Sequence, residues 1–162
     1  MKKISTFLFL SALLSFPLAS HAQHAVTAVK DHKPLLASTD PKLAANKKLV
    51  YDFWREVLEA GHMELAPKYL TESYIQHNPN VGSGRDAFIA FFSKFKKPQA
   101  IENKITRPLV TITAECDLVT LTFVSELKDP DDATKTYTTT WFDMFRIENG
   151  KIAEHWDSSL KL

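Results

Sequence analysis

The stretch from Thr138 to Asp157, TTTWFDMFRIENGKIAEHWD, constrains the fold more than any other part of the sequence. Two runs rich in β-branched and aromatic residues flank an Asn-Gly pair, a pattern that predicts a β-hairpin. Asp143, His155 and Asp157 lie in these runs among large aromatic side chains. Side chains alternate along a strand, so the register of the hairpin decides whether the three ionisable groups share a face.

The length of the turn sets this register. A two-residue turn would put the two aspartates on opposite faces. A three-residue loop, Glu148 to Gly150, would pair Ile147 with Lys151 because its glycine takes the left-handed conformation of a G1 bulge. Asp143 would then stand opposite His155, with the second aspartate diagonally beside them. We expect this loop, and with it one face that carries Trp141, Asp143, Phe145, Ala153, His155 and Asp157.

The N-terminus has the three parts of a secretory signal. Two lysines precede the apolar run Ile4 to Leu18, and small residues follow at Ser20 and Ala22. We therefore predict that residues 1–22 are a signal peptide, cleaved before Gln23. The product would be periplasmic or secreted, without a membrane anchor.

Charge and cysteine content exclude some functions. Without Lys2 and Lys3, 18 of the 20 basic residues remain against 19 acidic residues, so nothing favours binding to nucleic acid. Cys116 is the only cysteine, so an internal disulfide is impossible although export would allow one.

Helical patterns come before strand patterns. Asp40-Pro41 opens a first helix that Gly61 ends, and Gly82-Ser83-Gly84 leads into another. The predicted helices are Asp40 to Ala60, Met63 to Leu70 and Arg85 to Lys96. The predicted strands are Ile101 to Ala114, Leu118 to Lys128, Thr134 to Ile147 and Lys151 to Ser159.

This order predicts an α+β fold in which three helices pack on one face of a curved, mainly antiparallel sheet. Residues 23–39 show no lasting period and form a flexible leader, and residues 40–162 form one domain. Tyr74 to Pro79 is too short and too polar for a core strand, and its Asn-Pro pair turns the chain.

A sheet curled around helices leaves a pocket between them. An aspartate in an apolar stripe must find a partner or accept a raised pKa, and His155 is such a partner for Asp143. A purely structural pair remains the alternative. The side chains expected to contact a small apolar ligand are Trp141, Phe145, Tyr51, Trp54 and Gln76.

Several motifs together resemble the SnoaL-like polyketide cyclases, within the superfamily named for nuclear transport factor 2. They are YIQHNP at Tyr74 to Pro79, the glycine-arginine start of the last helix, and FRIENGKIAEHWD at Phe145 to Asp157. The similarity extends from Asn46 to Asp157. It implies a cone-shaped barrel with a pocket at its wide end, commonly dimeric through the sheet.

The resemblance also implies catalytic roles. In the cyclases an aspartate of the last strand removes a proton from carbon next to a carbonyl, and Asp157 matches it. The histidine that the cyclases carry fourteen residues earlier is replaced here by Asp143. His77 and His155 are candidates to take over part of its role.

Three functions remain open at this stage. The first is a cofactor-independent acid–base enzyme that acts on a small apolar carbonyl compound, with Asp157, Asp143, His155 and His77 as catalytic residues. The second is a non-catalytic binder of a hydrophobic molecule, and the third is a dimeric assembly module. No metal-ligand spacing, nucleotide-binding loop or serine or cysteine triad is recognisable, so we expect no metal and no cofactor.

The first prediction concerns export. Because the small residues before Gln23 fit signal cleavage, N-terminal sequencing of exported protein should begin at Gln23. A product that begins at Met1, or one held in the membrane, would contradict it.

The second prediction is a homodimer, since Phe142, Met144, Ile152 and Trp156 are expected to form an outer apolar face. A charge there, as in Met144→Glu, should convert a dimer to a monomer in light scattering. A wild-type protein that is monomeric at micromolar concentration would refute it.

Overall fold

One curved sheet of five strands organises residues 24–162, which the computed structural model describes. The strands are β1 (Leu70–Gln76), β2 (Leu109–Glu115), β3 (Leu118–Lys128), β4 (Thr136–Glu148) and β5 (Lys151–Asp157). Their order across the sheet is β1-β5-β4-β3-β2. Strands β2 to β5 pair antiparallel, whereas β1 pairs parallel with β5. The predicted signal peptide and its cleavage site before Gln23 lie outside the described residues.

Helices cover the inner face of the sheet. They are α1 (Lys33–Leu36), α2 (Pro41–Phe53), α3 (Ala66–Tyr69) and α4 (Arg85–Phe92). A π-helical turn, Trp54–Glu59, continues α2. The Asp40 carboxylate caps α2 by accepting the Lys42 N–H at 2.7 Å. The α+β prediction with a mainly antiparallel sheet is confirmed.

Strand β1 is a correction to the sequence analysis. The segment at Tyr74 was expected to be too polar for a strand, yet it forms the second half of β1. Several of its residues are exposed to solvent, so one of its faces can be polar. Tyr74 points into the core, whereas Ile75 is exposed. Such alternation is the mark of a half-buried strand.

The hairpin between β4 and β5 has a two-residue turn, so the three-residue loop expected from the sequence is wrong. Glu148 pairs with Lys151, and both turn residues have positive φ, 51° at Asn149 and 73° at Gly150. This is the geometry of a type I′ turn, whose twist matches that of the flanking strands.

A β-bulge restores the shared face that this turn alone would abolish. Ile147 pairs with Ile152, but Arg146 pairs with Glu154, so Ala153 is an extra residue in β5. Beyond the bulge the register has moved by one residue. Asp143 therefore lies directly opposite Asp157, and His155 lies opposite Phe145.

The bulge also corrects the predicted outer face. Ile152 was expected there, but it precedes the bulge, points inward and is 0% exposed. Phe142 is 47% exposed, while Met144 and Trp156 are half-buried. The outer apolar face is thus smaller than expected, and the dimer stays a prediction.

The segment predicted as a leader contacts the domain at several points. The Val29 N–H donates to the Leu109 carbonyl at 2.8 Å, and buried His32 bonds through Nδ1 to the Tyr51 hydroxyl at 2.8 Å. Burial and the nearby Lys104 ammonium lower the pKa of His32. Among the described residues, no helix is long and apolar enough to cross a membrane.

Two glycines with similar backbone conformations provide a stability test. Gly61 and Gly150 have φ of 77° and 73°, but a Cβ at Gly61 would lie 2.6 Å from the Lys97 carbonyl oxygen, whereas one at Gly150 would meet nothing within 4 Å. Gly150→Ala should therefore cost only the left-handed strain, about 1–2 kcal/mol of unfolding free energy. Gly61→Ala should cost about 1–3 kcal/mol more, because main-chain atoms must move.

Urea denaturation of both variants measures the difference. Equal losses of unfolding free energy in the two variants would show that the main chain at Lys97 can move at little energetic cost.

Candidate active site

A pocket of about 310 Å³ lies between the helices and the inner face of the sheet. Its apolar wall is aromatic and includes Phe53, Trp54, Tyr74, Phe88, Phe92 and Phe145. Polar groups at the sheet are Gln76, Asn78, Asp143, His155 and Asp157, and charged groups elsewhere in the wall are Glu59, Lys96 and Arg107. An apolar cavity with a few convergent polar groups is the usual form of a small-molecule site.

Three ionisable side chains converge at the sheet. Asp143 and Asp157 are cross-strand partners, and His155 lies on the same face of β5. One ligand atom from each lies within 4.8 Å of the other two. Asp143 and His155 are buried, while Asp157 is half-buried. The bulge at Ala153 brings them together.

The hydrogen bonds define where the histidine carries a proton. Gln76 Oε1 accepts the main-chain N–H of Asn78 at 3.0 Å, so the amide oxygen also faces His155 Nδ1, which is 2.8 Å away. Nδ1 must therefore donate. On the other side of the ring, Nε2 lies 3.0 Å from Asp143 Oδ1. These two atoms share one proton, either as imidazolium and carboxylate or as imidazole and carboxylic acid.

Asp143 has one satisfied oxygen and one that is not. Its side chain is 4% exposed, and among the described residues Oδ2 has no hydrogen-bond partner. A buried oxygen without a partner costs roughly 1–3 kcal/mol, more if it is charged. Since Asp143 lines the pocket, a group of a bound molecule can supply the missing partner.

The Asp157 carboxylate accepts one hydrogen bond from the turn after β1 and one from the chain just after β5. Asn78 Nδ2 donates to Oδ2 at 2.7 Å, and the main-chain N–H of Ser159 donates to Oδ1 at 2.9 Å. Both bonds fix the carboxylate plane at the pocket wall. Each oxygen still has a lone pair for a ligand.

Tyr74 supplies a hydroxyl at the same wall. Gln76 Nε2 donates to its oxygen at 3.1 Å, which leaves the hydroxyl proton to be donated elsewhere. Burial raises the pKa of Tyr74, and the negative charges of Asp143 and Asp157 raise it further. The group thus stays a hydrogen-bond donor at any physiological pH.

The structure brings together most of the predicted site residues. Those that line the pocket are Asp143, His155, Asp157, Phe145, Trp54 and Gln76. Tyr51 and Trp141 do not line it and are corrections. Tyr51 is turned toward the leader and the Ile105 N–H, which donates to its hydroxyl at 3.1 Å. Trp141 lies beyond the pocket, near the Arg107 guanidinium.

His77 is also a correction, because it lies on the outer face of the sheet. Its Nε2 is 2.7 Å from Glu154 Oε1, and its ring stacks on Trp156 with centroids 5.0 Å apart. This hydrogen bond and a second one from Arg146 lower the pKa of Glu154. His77 therefore joins β1 to β5 from outside and cannot contact a ligand in the pocket.

Sequence reasoning missed Tyr74 and Asn78, although a signal for both was present. In YIQHN, residues 74, 76 and 78 alternate with 75 and 77. A strand assignment would have turned the first set inward and His77 outward. Arg107 had no comparable signal, since it lies in the irregular connection before β2.

Asp143, His155 and Asp157 carry carboxylate and imidazole groups, which are ligand types that metal ions use. Both ring nitrogens of His155 are committed, one to Gln76 and one to Asp143. A metal ion would have to displace the bond between His155 and Asp143. The cluster can do acid–base chemistry without such a rearrangement.

Solved structures share this fold. A proposed polyketide cyclase from Acidithiobacillus ferrooxidans is 16% identical with a TM-score of 0.50, over 75% of this chain and 89% of that one. An LEH-like epoxide hydrolase from M. tuberculosis is 12% identical with a TM-score of 0.50, over 72% of this chain and 84% of that one. At such identities the likeness establishes the fold alone.

Direct comparison with curated proteins finds no match. The model of the SnoaL-like domain family, however, matches residues 50–155, which is more than half of the chain. That span runs from the last turn of α2 to His155 and includes Asp143. By this match, the chain is a member of the SnoaL-like domain family.

Proposed function

We propose that this protein is an exported, cofactor-independent enzyme that removes a proton from carbon next to a carbonyl group in a small, largely apolar compound. The observation that carries the proposal is the buried Asp143 Oδ2, which has no partner within residues 24–162, beside Asp157 in an aromatic pocket. Two carboxylates and one imidazole at a pocket wall provide separate groups to accept and to return a proton.

Asp157 is the base in this proposal. Asn78 and Ser159 hold its carboxylate in one orientation, and its remaining lone pairs are available at the pocket wall. A positioned carboxylate can take a proton from an activated carbon because its partner atoms need not reorganise during the step.

Tyr74 is the group that stabilises the oxygen of the substrate. As the proton leaves carbon, negative charge develops on the carbonyl oxygen, and a fixed hydroxyl donor in a largely apolar pocket stabilises that charge. The raised pKa of Tyr74 keeps its proton in place.

The pair of Asp143 and His155 holds the proton that completes the reaction. His155 Nε2 and Asp143 Oδ1 lie 3.0 Å apart, which is close enough for the two atoms to share one proton. From this pair a proton can move to the substrate once Asp157 has taken one from carbon. Asp157 then releases its proton to solvent and the pair takes one up, which restores the starting state, so protons balance over the cycle.

The names of the two structural relatives, a cyclase and an epoxide hydrolase, are names of enzymes, which agrees with this proposal. The alternative is a binder that holds a hydrophobic molecule between the same aromatic rings. Such a binder would use the wall of Phe53, Trp54 and Phe88 and would make no use of the shared proton.

Proton abstraction is measured without knowing the natural substrate. In D2O, wild-type protein should speed the exchange of hydrogen next to the carbonyl in small aryl ketones such as 2-acetonaphthone, followed by NMR. Asp157→Asn should lower the rate by about 10²–10⁴-fold, the usual contribution of a positioned base. Asp131→Asn, in an exposed loop, is the matched control and should exchange at the wild-type rate.

Ketone affinity is measured on the same variants by calorimetry. Wild-type protein that binds these ketones but never speeds exchange would identify a binder and reject the enzyme.

The shared proton gives a separate prediction. Asp143→Asn leaves a neutral amide beside His155, so the pH dependence of exchange should change while the dissociation constant for ketone changes less than about threefold. Exchange rates from pH 5 to 9 test this. An unchanged pH profile would remove Asp143 and His155 from the reaction and leave them as a structural pair.

A further inference from the structure

The basic groups of the pocket have no assigned role in this reaction. We infer that they form a carboxylate-binding site, so that the substrate is a carbonyl compound that also carries an anionic group. This inference rests on the proposed function for the position of the reacting carbon. The anion site itself stands on Arg107, Lys96 and Trp54.

Arg107 is held in place by aromatic rings. The carbon of its guanidinium lies 4.6 Å from the ring centroid of Phe123 and 5.8 Å from those of Trp54 and Trp141. Contacts of this kind stabilise a cation over a ring face and restrict its rotation. The side chain is half-buried and lines the pocket, so its charge is less screened than on an open surface.

The guanidinium has no anionic partner within residues 24–162. Arg107 bonds to Glu59 only through its main-chain N–H, which donates to Oε1 at 2.8 Å. The other oxygen of Glu59 accepts the Thr106 N–H at 2.8 Å and the Thr106 hydroxyl at 3.1 Å. Glu59 therefore fixes the main chain of this segment and leaves the fork of Arg107 available to a ligand.

Two further groups point to an anion. Lys96 is half-buried in the same wall and makes no ion pair with another described residue. Trp54 is 7% exposed, and its indole N–H is a buried donor that lacks an acceptor in the described part of the chain. A buried donor without an acceptor is costly, and a carboxylate oxygen satisfies it.

The spacing between Arg107 and the acid cluster sets the size of the substrate. Trp141, whose ring centroid lies 5.8 Å from the guanidinium carbon of Arg107, is two residues from Asp143 on the same face of β4, which corresponds to about 7 Å along the strand. A carboxylate at Arg107 thus lies about one aromatic ring away from a carbon at the acid cluster. The Asp157 carboxylate repels an anion, whereas the Arg107 guanidinium attracts one, so the ligand binds in one direction.

The test uses 2-naphthoate and its neutral analogue 2-naphthamide as probes of the full mature chain. Calorimetry at low salt should give at least tenfold tighter binding of naphthoate to the wild type, with the preference reduced by 0.5 M NaCl. Arg107→Gln should abolish the preference and leave naphthamide affinity within about threefold. Arg146→Gln, on the outer face of the sheet, is the matched control and should retain it.

Trp54→Phe keeps an aromatic ring but removes the N–H donor, so it should reduce the preference for naphthoate several-fold. This variant tests the anion site if Arg107→Gln fails to fold. Equal binding of both probes, binding of neither at millimolar concentration, or a preference that survives in both folded variants would overturn the anion site. Asp157→Asn should keep the preference. A preference for naphthoate without any hydrogen exchange would reject the enzyme and retain the anion site. Exchange of neutral ketones without that preference would retain the enzyme and reject the anion site.

Discussion

The structure depends on keeping Asp143 inside an apolar wall. Moving an ionised carboxylate out of water costs several kcal/mol even after relaxation, and only a well-placed partner offsets it. His155 is that partner, and Gln76 in turn holds His155 from the other side of the ring. Removing one member of such a buried pair typically costs about 3–5 kcal/mol. The bulge, the parallel edge strand and the turn after β1 all serve to bring these three side chains together.

The two faces of the sheet carry different groups. The inner face carries the side chains of the candidate site, and the outer face carries contacts that hold β1 in place. On the inner face, Gln76 and Asn78 link β1 and the following turn to His155 and Asp157. On the outer face, His77 and Arg146 both contact the Glu154 carboxylate. Side chains alternate along residues 76–78. The same short segment therefore places Gln76 and Asn78 in the candidate site and His77 in the contacts that hold β1 against β5.

Much of the fold could be predicted from the sequence, but the hairpin register could not. A three-residue loop without a bulge and a two-residue turn followed by one bulged residue both put Asp143 and Asp157 on the same face. The Asn-Gly pair identifies a tight turn, but no residue type marks Ala153 as the extra one. The prediction that Asp143 and Asp157 share a face was therefore reached through the wrong hairpin register. The same wrong register placed Ile152 on the outer face of the sheet.

Other errors came from contacts that are distant in sequence. Strand β1 carries polar residues that are exposed to solvent, and its partner β5 follows almost eighty residues later, so local pattern alone favoured a turn. The position of Arg107 depends on rings from the π-helical turn after α2, from β3 and from β4, and no local sequence pattern indicates that these rings lie together. The aromatic wall, by contrast, was visible as periodic apolar positions.

The parallel pairing of β1 with β5 has a consequence for the order of folding. The bond from Asn78 to Asp157 spans 79 residues, as does the one from Gln76 to His155. Closing so long a loop costs chain entropy before any contact forms, so such pairings tend to come late. The antiparallel meander of β2 to β5 and the α2 helix can assemble from nearer contacts first. A ligand-binding signal that requires this pocket would therefore appear only with the last step of folding, and would report on the docking of one edge strand.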